Sequence, residues 1–288
     1  EVPEQRAQET LKRFFQGPVN MLDTSRNYAM GESEKRIGMA IKENGGWPEK
    51  FVLSTKIDRN MDTLVLDKKR TRESVEESLK ALNVDSVDVL FLHDPEYVKD
   101  INDVTKKDGA LDELFKIKEE GLAKAVGLAM GRIDIMFPIL RKWDFDVIIN
   151  HNRYTLLNRE ADEMYSYAHS KNISIFNAAP YAGGVLAKGP SNFKKITYQD
   201  ATEEKLAPAR EIEKVCKKYN VEMGAAALQF SMKDKRITST ICGVTSVQSI
   251  EKNISWAETD IPEEFWNEVL KLPYSTKDPE SERTYTPG

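Results

Sequence analysis

Short apolar runs alternate with helix-period stretches along almost the whole chain, and this alternation limits the fold more than any other feature. The runs Val19–Asp23, Phe51–Lys56, Val87–His93, Ala123–Ala129, Asp146–Asn150, Ile173–Ala179 and Ile237–Gly243 read as buried strands. Between them, Ser33–Lys42, Arg72–Leu82, Leu111–Glu120 and Glu160–Ser170 carry apolar residues at three- and four-residue spacing. Continuous apolar strands separated by amphipathic helices predict an α/β fold, a parallel sheet covered by helices. A (β/α)8 TIM barrel takes roughly 250 residues as one domain, and the 288 residues here suffice. A closed barrel needs one strand more than these runs supply. The chain opens on a helical pattern, Glu4–Phe15, that would ordinarily follow a strand, so the first barrel strand is expected to lie before residue 1. Further helices are expected at Val247–Ala257 and Pro262–Lys271, followed by an irregular polar tail over residues 274–288. No Pro- or Gly-rich linker interrupts the pattern, so residues 1–288 read as a single domain.

Charge and composition narrow the partners. A net charge of −5 and an isoelectric point near 5.5 argue against nucleic acid or an anionic membrane, both of which select a basic face. No apolar run approaches the ~20 residues that span a bilayer, and no signal-peptide pattern opens the chain. Cys216 and Cys242 lie far apart without metal-ligand spacing, which reads as free thiols in a cytoplasmic protein that holds no metal. Oligomeric state leaves no mark in the sequence.

Three consecutive strand runs end in ionisable residues. Val19–Leu22 leads into Asp23, Phe51–Thr55 into Lys56, and Val89–Leu92 into His93. In an α/β barrel these C-terminal ends share the face on which active sites are built. One such charge is often only the first solvated loop residue; three in succession, of complementary type, are harder to read that way. His151 also ends a strand, whereas His169 sits on a helical pattern and reads as surface. Tyr28 follows Asp23 by five residues. A phenol ionises near 10, too high for proton transfer at neutral pH unless a neighbouring cation favours the phenolate. Lys56 can supply that cation, Asp23 can orient it, and His93 can hydrogen-bond a carbonyl oxygen. The group suits carbonyl/alcohol interconversion. Neither a nucleophile elbow nor a glycine-rich phosphate loop is present.

The segment Asp23-Thr24-Ser25-Arg26-Asn27-Tyr28-Ala29-Met30-Gly31-Glu32-Ser33-Glu34 resembles the signature of the aldo-keto reductases. Lys56 after Leu53-Ser54-Thr55 looks like the family's lysine strand. Ser78–Leu82 with Asp85, Asp88 and His93-Asp94-Pro95 looks like a further signature, Pro180–Leu186 like the loop after the seventh strand, and Gly243–Ser246 with Ile250 and Asn253 like the cofactor segment after the eighth. These matches follow the family's order. They imply hydride transfer between NAD or NADP and a small carbonyl or sugar substrate, with Tyr28 as general acid/base, Lys56 and Asp23 as its tuning pair and His93 orienting substrate. Cofactor positions implied by the resemblance are Asp23, His151, Tyr181, Gly183, Gly243, Thr245, Ser249 and Asn253. Asn152–Leu157 is similar to the sugar-oxidising branch, the D-threo-aldose and L-fucose dehydrogenases.

Several positions depart from the family pattern. Ala129-Met130 stands where Ser-Asn is common, Ala178 where an aromatic residue often stacks on the nicotinamide, and His151 where glutamine is common. Ser249 occupies the place of an arginine that often meets the 2′-phosphate. Without that cation discrimination for NADP weakens, so the expectation leans to NAD or dual use. Two alternatives stand beside an active oxidoreductase. One is a cofactor-sensing, non-catalytic protein on the same barrel; the other is a lyase or isomerase forming a Schiff base at Lys56, which leaves Tyr28 and Gly243–Asn253 unexplained.

Overall fold

A computed structural model describes residues 2–283. By contact the chain divides into two compact units: the chain up to Ile148 with Val244–Ile250, and Ile149–Gly243 with the chain from Glu251 onward.

The first unit is built from strand–helix repeats. Helix α1 (Glu4–Phe14) leads to strand β1 (Met21–Asp23), helix α2 (Glu32–Glu43), strand β2 (Val52–Ile57), helix α3 (Lys68–Leu82) and strand β3 (Val87–His93). A short helix α4 (Asn102–Thr105), helix α5 (Ala110–Glu119), strand β4 (Ala123–Met130), helix α6 (Ile133–Leu140) and the start of strand β5 (Val147–His151) follow. Here the strands hydrogen-bond in the order β1-β2-β3-β4-β5. The β1/β2, β2/β3 and β3/β4 pairs are parallel, with Asp23 opposite Ser54, Lys56 opposite Phe91 and His93 opposite Ala129. Leu90, Phe91 and Leu92 are fully buried, each worth about 1.5–3 kcal/mol relative to exposure. Asp67 caps α3 by accepting the Arg70 N–H at 2.8 Å, and Asn83 closes that helix in the left-handed conformation. Phe14 packs against Phe15, Trp47 and Phe51, anchoring α1.

The second unit takes up the rest of β5 and continues with helix α7 (Asp162–Ser170), strand β6 (Ser174–Ala178) and a short helix α8 (Val185–Lys188). A hairpin, β7 (Lys195–Ile196) and β8 (Gln199–Asp200), precedes helices α9 (Glu203–Tyr219) and α10 (Met223–Met232) and strand β9 (Ser239–Ile241). Strand order is β5-β6-β9, with β6 and β9 parallel. Helix α11 (Val247–Glu258) passes from the first unit into the second, and α12 (Glu263–Val269) closes the helical part.

The expected tail is irregular as far as it is described; residues 284–288 lie outside the described residues. It is firmly attached to the segment that follows β5. Ser275 N–H donates to Leu157 O at 2.9 Å, Arg159 N–H to Ser275 O at 2.8 Å, and the Asn158 amide to Lys277 O at 2.8 Å. Arg153, 2% exposed at its side chain, reaches Asp278 at 2.6 Å and Glu280 at 2.7 Å.

Candidate active site

Asp23 ends β1, Lys56 is the last residue but one of β2, and His93 ends β3. Parallel pairing brings these ends together within the first unit, and the loop leaving β1 returns Tyr28 to them. Three donor bonds fix the Lys56 ammonium: to Asp23 Oδ2 at 2.5 Å, to the Thr24 carbonyl at 2.6 Å and to the Tyr28 hydroxyl at 3.2 Å. An ammonium has three N–H groups, so this one is fully committed. The other Asp23 oxygen accepts from Ser54 Oγ at 2.8 Å. The Tyr28 and His93 rings meet edge to face, centroids 5.8 Å apart.

The loop that carries Tyr28 is held in an unusual path. Ala29, Met30 and Gly31 all have positive φ, at 52°, 56° and 89°, a conformation that suits glycine. A Cβ on Gly31 would also fall 2.2 Å from the Arg26 guanidinium. Arg26 in turn donates to Glu77 at 2.9 Å, Thr24 Oγ1 lies 2.8 Å from Ser33 Oγ, and Thr55 Oγ1 donates to the buried Glu34 at 2.6 Å. Ser33 and Glu34 of the Gly-Glu-Ser-Glu run thus tie the loop to the start of α2 and α2 to β2, while Arg26 ties the loop to α3.

The site's ionisations follow from burial set against charge. Burial works against the Lys56 ammonium, but Asp23 more than offsets it and holds Lys56 above its ordinary value. Tyr28 is 43% exposed as a residue, while its hydroxyl sits against the buried Lys56. Burial pushes that phenol up to about 12, Asp23 adds to the rise and Lys56 opposes it. The expected lowering by Lys56 therefore operates but does not prevail, and Tyr28 rests as the neutral phenol.

The positions assigned to a cofactor by resemblance fall in both units. In the first, the Thr245 and Ser246 N–H groups each donate to Ser249 Oγ at 3.1 Å, and Ser249 Oγ donates to Ser246 O at 2.7 Å. In the second, Tyr181 donates to Asn253 Oδ1 at 2.6 Å, and its ring lies against Trp256 with centroids 5.5 Å apart. Gly183 has φ +75°, and a Cβ there would come 2.7 Å from the Tyr198 nitrogen; beside Gly243 there is open space. His151 is drawn to the tail, its Nε2 lying 3.1 Å from Glu280 Oε2.

The family model described as "Aldo/keto reductase family" matches residues 1–272. The chain belongs to the aldo/keto reductase family. It is accordingly an oxidoreductase. It is 29% identical over 266 residues to the L-galactose dehydrogenase of Arabidopsis thaliana, covering 88% of this chain and 78% of that one. To the D-threo-aldose 1-dehydrogenase of a Pseudomonas species it is 28% identical over 287 residues, covering 91% and 86%. Both are sugar dehydrogenases by name, the branch that Asn152–Leu157 resembles. A solved aldo-keto reductase of Bacillus halodurans, in its holo form, superposes with a TM-score of 0.79 over 99% of this chain and 92% of its own, at 20% identity. That likeness shows the fold, the α/β class of the (β/α)8 TIM barrels.

In this aldo/keto reductase one residue of the site was not foreseen. Asp58, 1% exposed, lies two residues beyond Lys56 and bonds His93 Nδ1 at 2.7 Å through Oδ1. Its Oδ2 accepts from Ser25 Oγ and from the Asn27 N–H, the latter at 2.9 Å. A signal was available: alternate residues of a strand point to one face, and Asp58, one residue past the end of β2, continues that alternation from Lys56.

Proposed function

We propose that the protein interconverts a carbonyl and an alcohol on a small, sugar-like substrate with a nicotinamide cofactor, and that Tyr28 carries the proton. The observation that carries this reading is the Lys56 ammonium, anchored by Asp23 and Thr24 with its third N–H on the Tyr28 hydroxyl. When bound, the nicotinamide supplies or takes a hydride. In the reducing direction Tyr28 gives its O–H proton to the substrate oxygen, and the resulting phenolate is held by Lys56. In the oxidising direction the phenolate takes the alcohol proton. His93 donates a hydrogen bond to the same oxygen and orients it. A Schiff base at Lys56 is disfavoured, since all three N–H groups of this ammonium are in use.

The residues present suit a phosphate-bearing cofactor without a 2′-phosphate. Thr245 is exposed and the space beside Gly243 is open. The N–H groups of Thr245 and Ser246, at the start of a twelve-residue helix, are satisfied by a neutral hydroxyl. Such termini favour anions. Ser249 offers no charge for a further phosphate, which supports NAD over NADP. His151, Tyr181, Gly183, Gly243 and Asn253 are carried over from the resemblance as further cofactor positions, and Asp23 as one that also serves Lys56. The single family match over residues 1–272 supports one catalytic domain followed by a tail. Cys216 and Cys242 are free, which suits a cytoplasmic setting, and among the described residues no helix is long and apolar enough to cross a membrane.

A second reading, a cofactor sensor with negligible turnover, is favoured by Ala129 and Ala178, which bring no polar or aromatic side chain to the nicotinamide positions. Tyr28→Phe separates the two. Titration with NADH and NADPH by tryptophan fluorescence is expected to be unchanged in the variant, while turnover of aldose substrates falls by about 100-fold or more. Retention of most turnover would remove Tyr28 from its role.

A further inference from the structure

The His93 imidazole is flanked by carboxylates on both sides. On Nδ1 stands Asp58 Oδ1 at 2.7 Å; Nε2 lies 3.7 Å from Asp94 Oδ1, beyond hydrogen-bond reach. Asp58 is itself immobilised from every direction. Its main-chain N–H donates to Ser74 Oγ at 3.0 Å and its carbonyl accepts from Arg70 Nε at 3.0 Å, both partners on α3. Its second oxygen is held by Ser25 and Asn27 of the loop that carries Tyr28. An ionised carboxylate can only accept, so the proton shared with His93 belongs to Nδ1.

We propose that Asp58 is a positioning residue for His93: it takes the Nδ1–H bond, fixes the plane of the ring, and keeps the imidazole in its charged form so that Nε2–H is presented to the substrate oxygen. A neutral ring with its proton on Nδ1 has only a lone pair at Nε2 and could not donate there. Donation from Nε2 therefore requires the imidazolium, and a buried carboxylate on the opposite nitrogen is the group that stabilises it. The same Asp58 side chain bonds Ser25 and Asn27, so the ring and the loop bearing Tyr28 are registered through one carboxylate.

The groups that face His93 agree with this. Burial alone would lower its ionisation, but Asp94 and Asp58 raise it above the ordinary imidazole value against the opposing charge of Lys56; Tyr28 faces it as a neutral phenol. Burial would raise the Asp58 carboxyl, and His93, Ser25 and Asn27 hold it below the usual range instead.

The inference builds on the proposed carbonyl chemistry, so its test has one arm that needs no turnover. The chain has three histidines, and His93→Gln identifies the His93 signal in a histidine Cε1 NMR titration. In Asp58→Asn, which keeps an oxygen acceptor and removes the charge, His93 is expected to titrate lower by about one unit or more. An unchanged titration would overturn the proposal whether or not any substrate is known. In the turnover arm, kcat for carbonyl reduction falls about 10- to 100-fold with its alkaline limb moved to lower pH, while NADH affinity stays the same. Asp58→Asn placed on His93→Gln should cost little further, since residues acting through one group are not additive. Full additivity would assign Asp58 a merely structural part. If Asp58→Ala fails to fold, Asp58→Asn still decides the matter through its titration.

Discussion

Glu280 offers a sharp test of how the tail is held. Glu280 is 7% exposed as a residue, and its carboxylate accepts from Arg153 Nη1 at 2.7 Å, from His151 Nε2 at 3.1 Å and from Arg283 Nη1 at 2.7 Å. Burial works to raise this carboxyl, yet His151 and Arg153 bring it from 4.5 down to about 2. That depression corresponds to roughly 3 kcal/mol of folded-state stabilisation at neutral pH. Because the folded value is the lower one, the contribution is present above the unfolded value near 4.5 and is lost as pH falls toward about 2. Glu280→Gln is therefore expected to cost about 3 kcal/mol in urea unfolding at pH 7, and the gap to wild type should narrow by just under about 1 kcal/mol at pH 4. Where docking of the segment is weaker than this, the tail releases first. Amide exchange at Ser275 and Arg159, whose N–H groups form the backbone bonds of that contact, then rises by the equivalent factor, on the order of 100-fold. A gap that does not change with pH, together with unaltered exchange at those two amides, would refute the reasoning.

Asp23→Asn leaves the Lys56 ammonium buried without its counter-charge, which should cost about 3–5 kcal/mol by chemical denaturation and abolish turnover. Ser249→Arg should shift the NADPH/NADH ratio of kcat/KM toward NADPH by about tenfold or more; an unmoved ratio would separate this position from cofactor choice. Because the Tyr28 phenol lies near 12, only its minor phenolate form can accept an alcohol proton at neutral pH. Alcohol oxidation should therefore quicken by about tenfold per pH unit until the His93 imidazolium is lost and level off beyond that; in His93→Gln, which removes that limit, a flat profile from pH 7 to 9 would contradict the assignment.

The strands were legible where a buried run is also uninterrupted. Val87–His93 matches the apolar pattern to the residue, because Val89–Leu92 is a continuous run buried on both faces and Asp88 is the one polar residue set into the strand before it. β1 keeps only Met21–Asp23 of the expected Val19–Asp23, and Val19 is 43% exposed despite its apolar side chain. Helix α10 escaped a reading by periodicity because Met223 through Ser231 are all buried; a helix covered on every side shows no stripe. The run of α6 is broken to the eye by Pro138, a residue that ordinarily argues against a helix interior.

In the site, legibility followed position along a strand. Asp23, Lys56 and His93 could be found because each punctuates an apolar run, and Tyr28 because its chemistry requires a cation nearby. Asp58 was hidden by its neighbours, since Asp58-Arg59-Asn60 reads as a solvated exit from β2, yet both Asp58 and Arg59 are about 2% exposed or less. Arg153 was hidden in the same way, a charge after a strand whose hydrogen-bonded carboxylates, Asp278 and Glu280, lie more than a hundred residues away. Sequence spacing reveals a charge but not the long-range partner that allows its burial. The ionisable residues proposed for the chemistry stand at the ends of strands, or on the loop just after one, and announce themselves there; the buried charges that pack around them and around the tail are visible only once the pairing of distant segments is known.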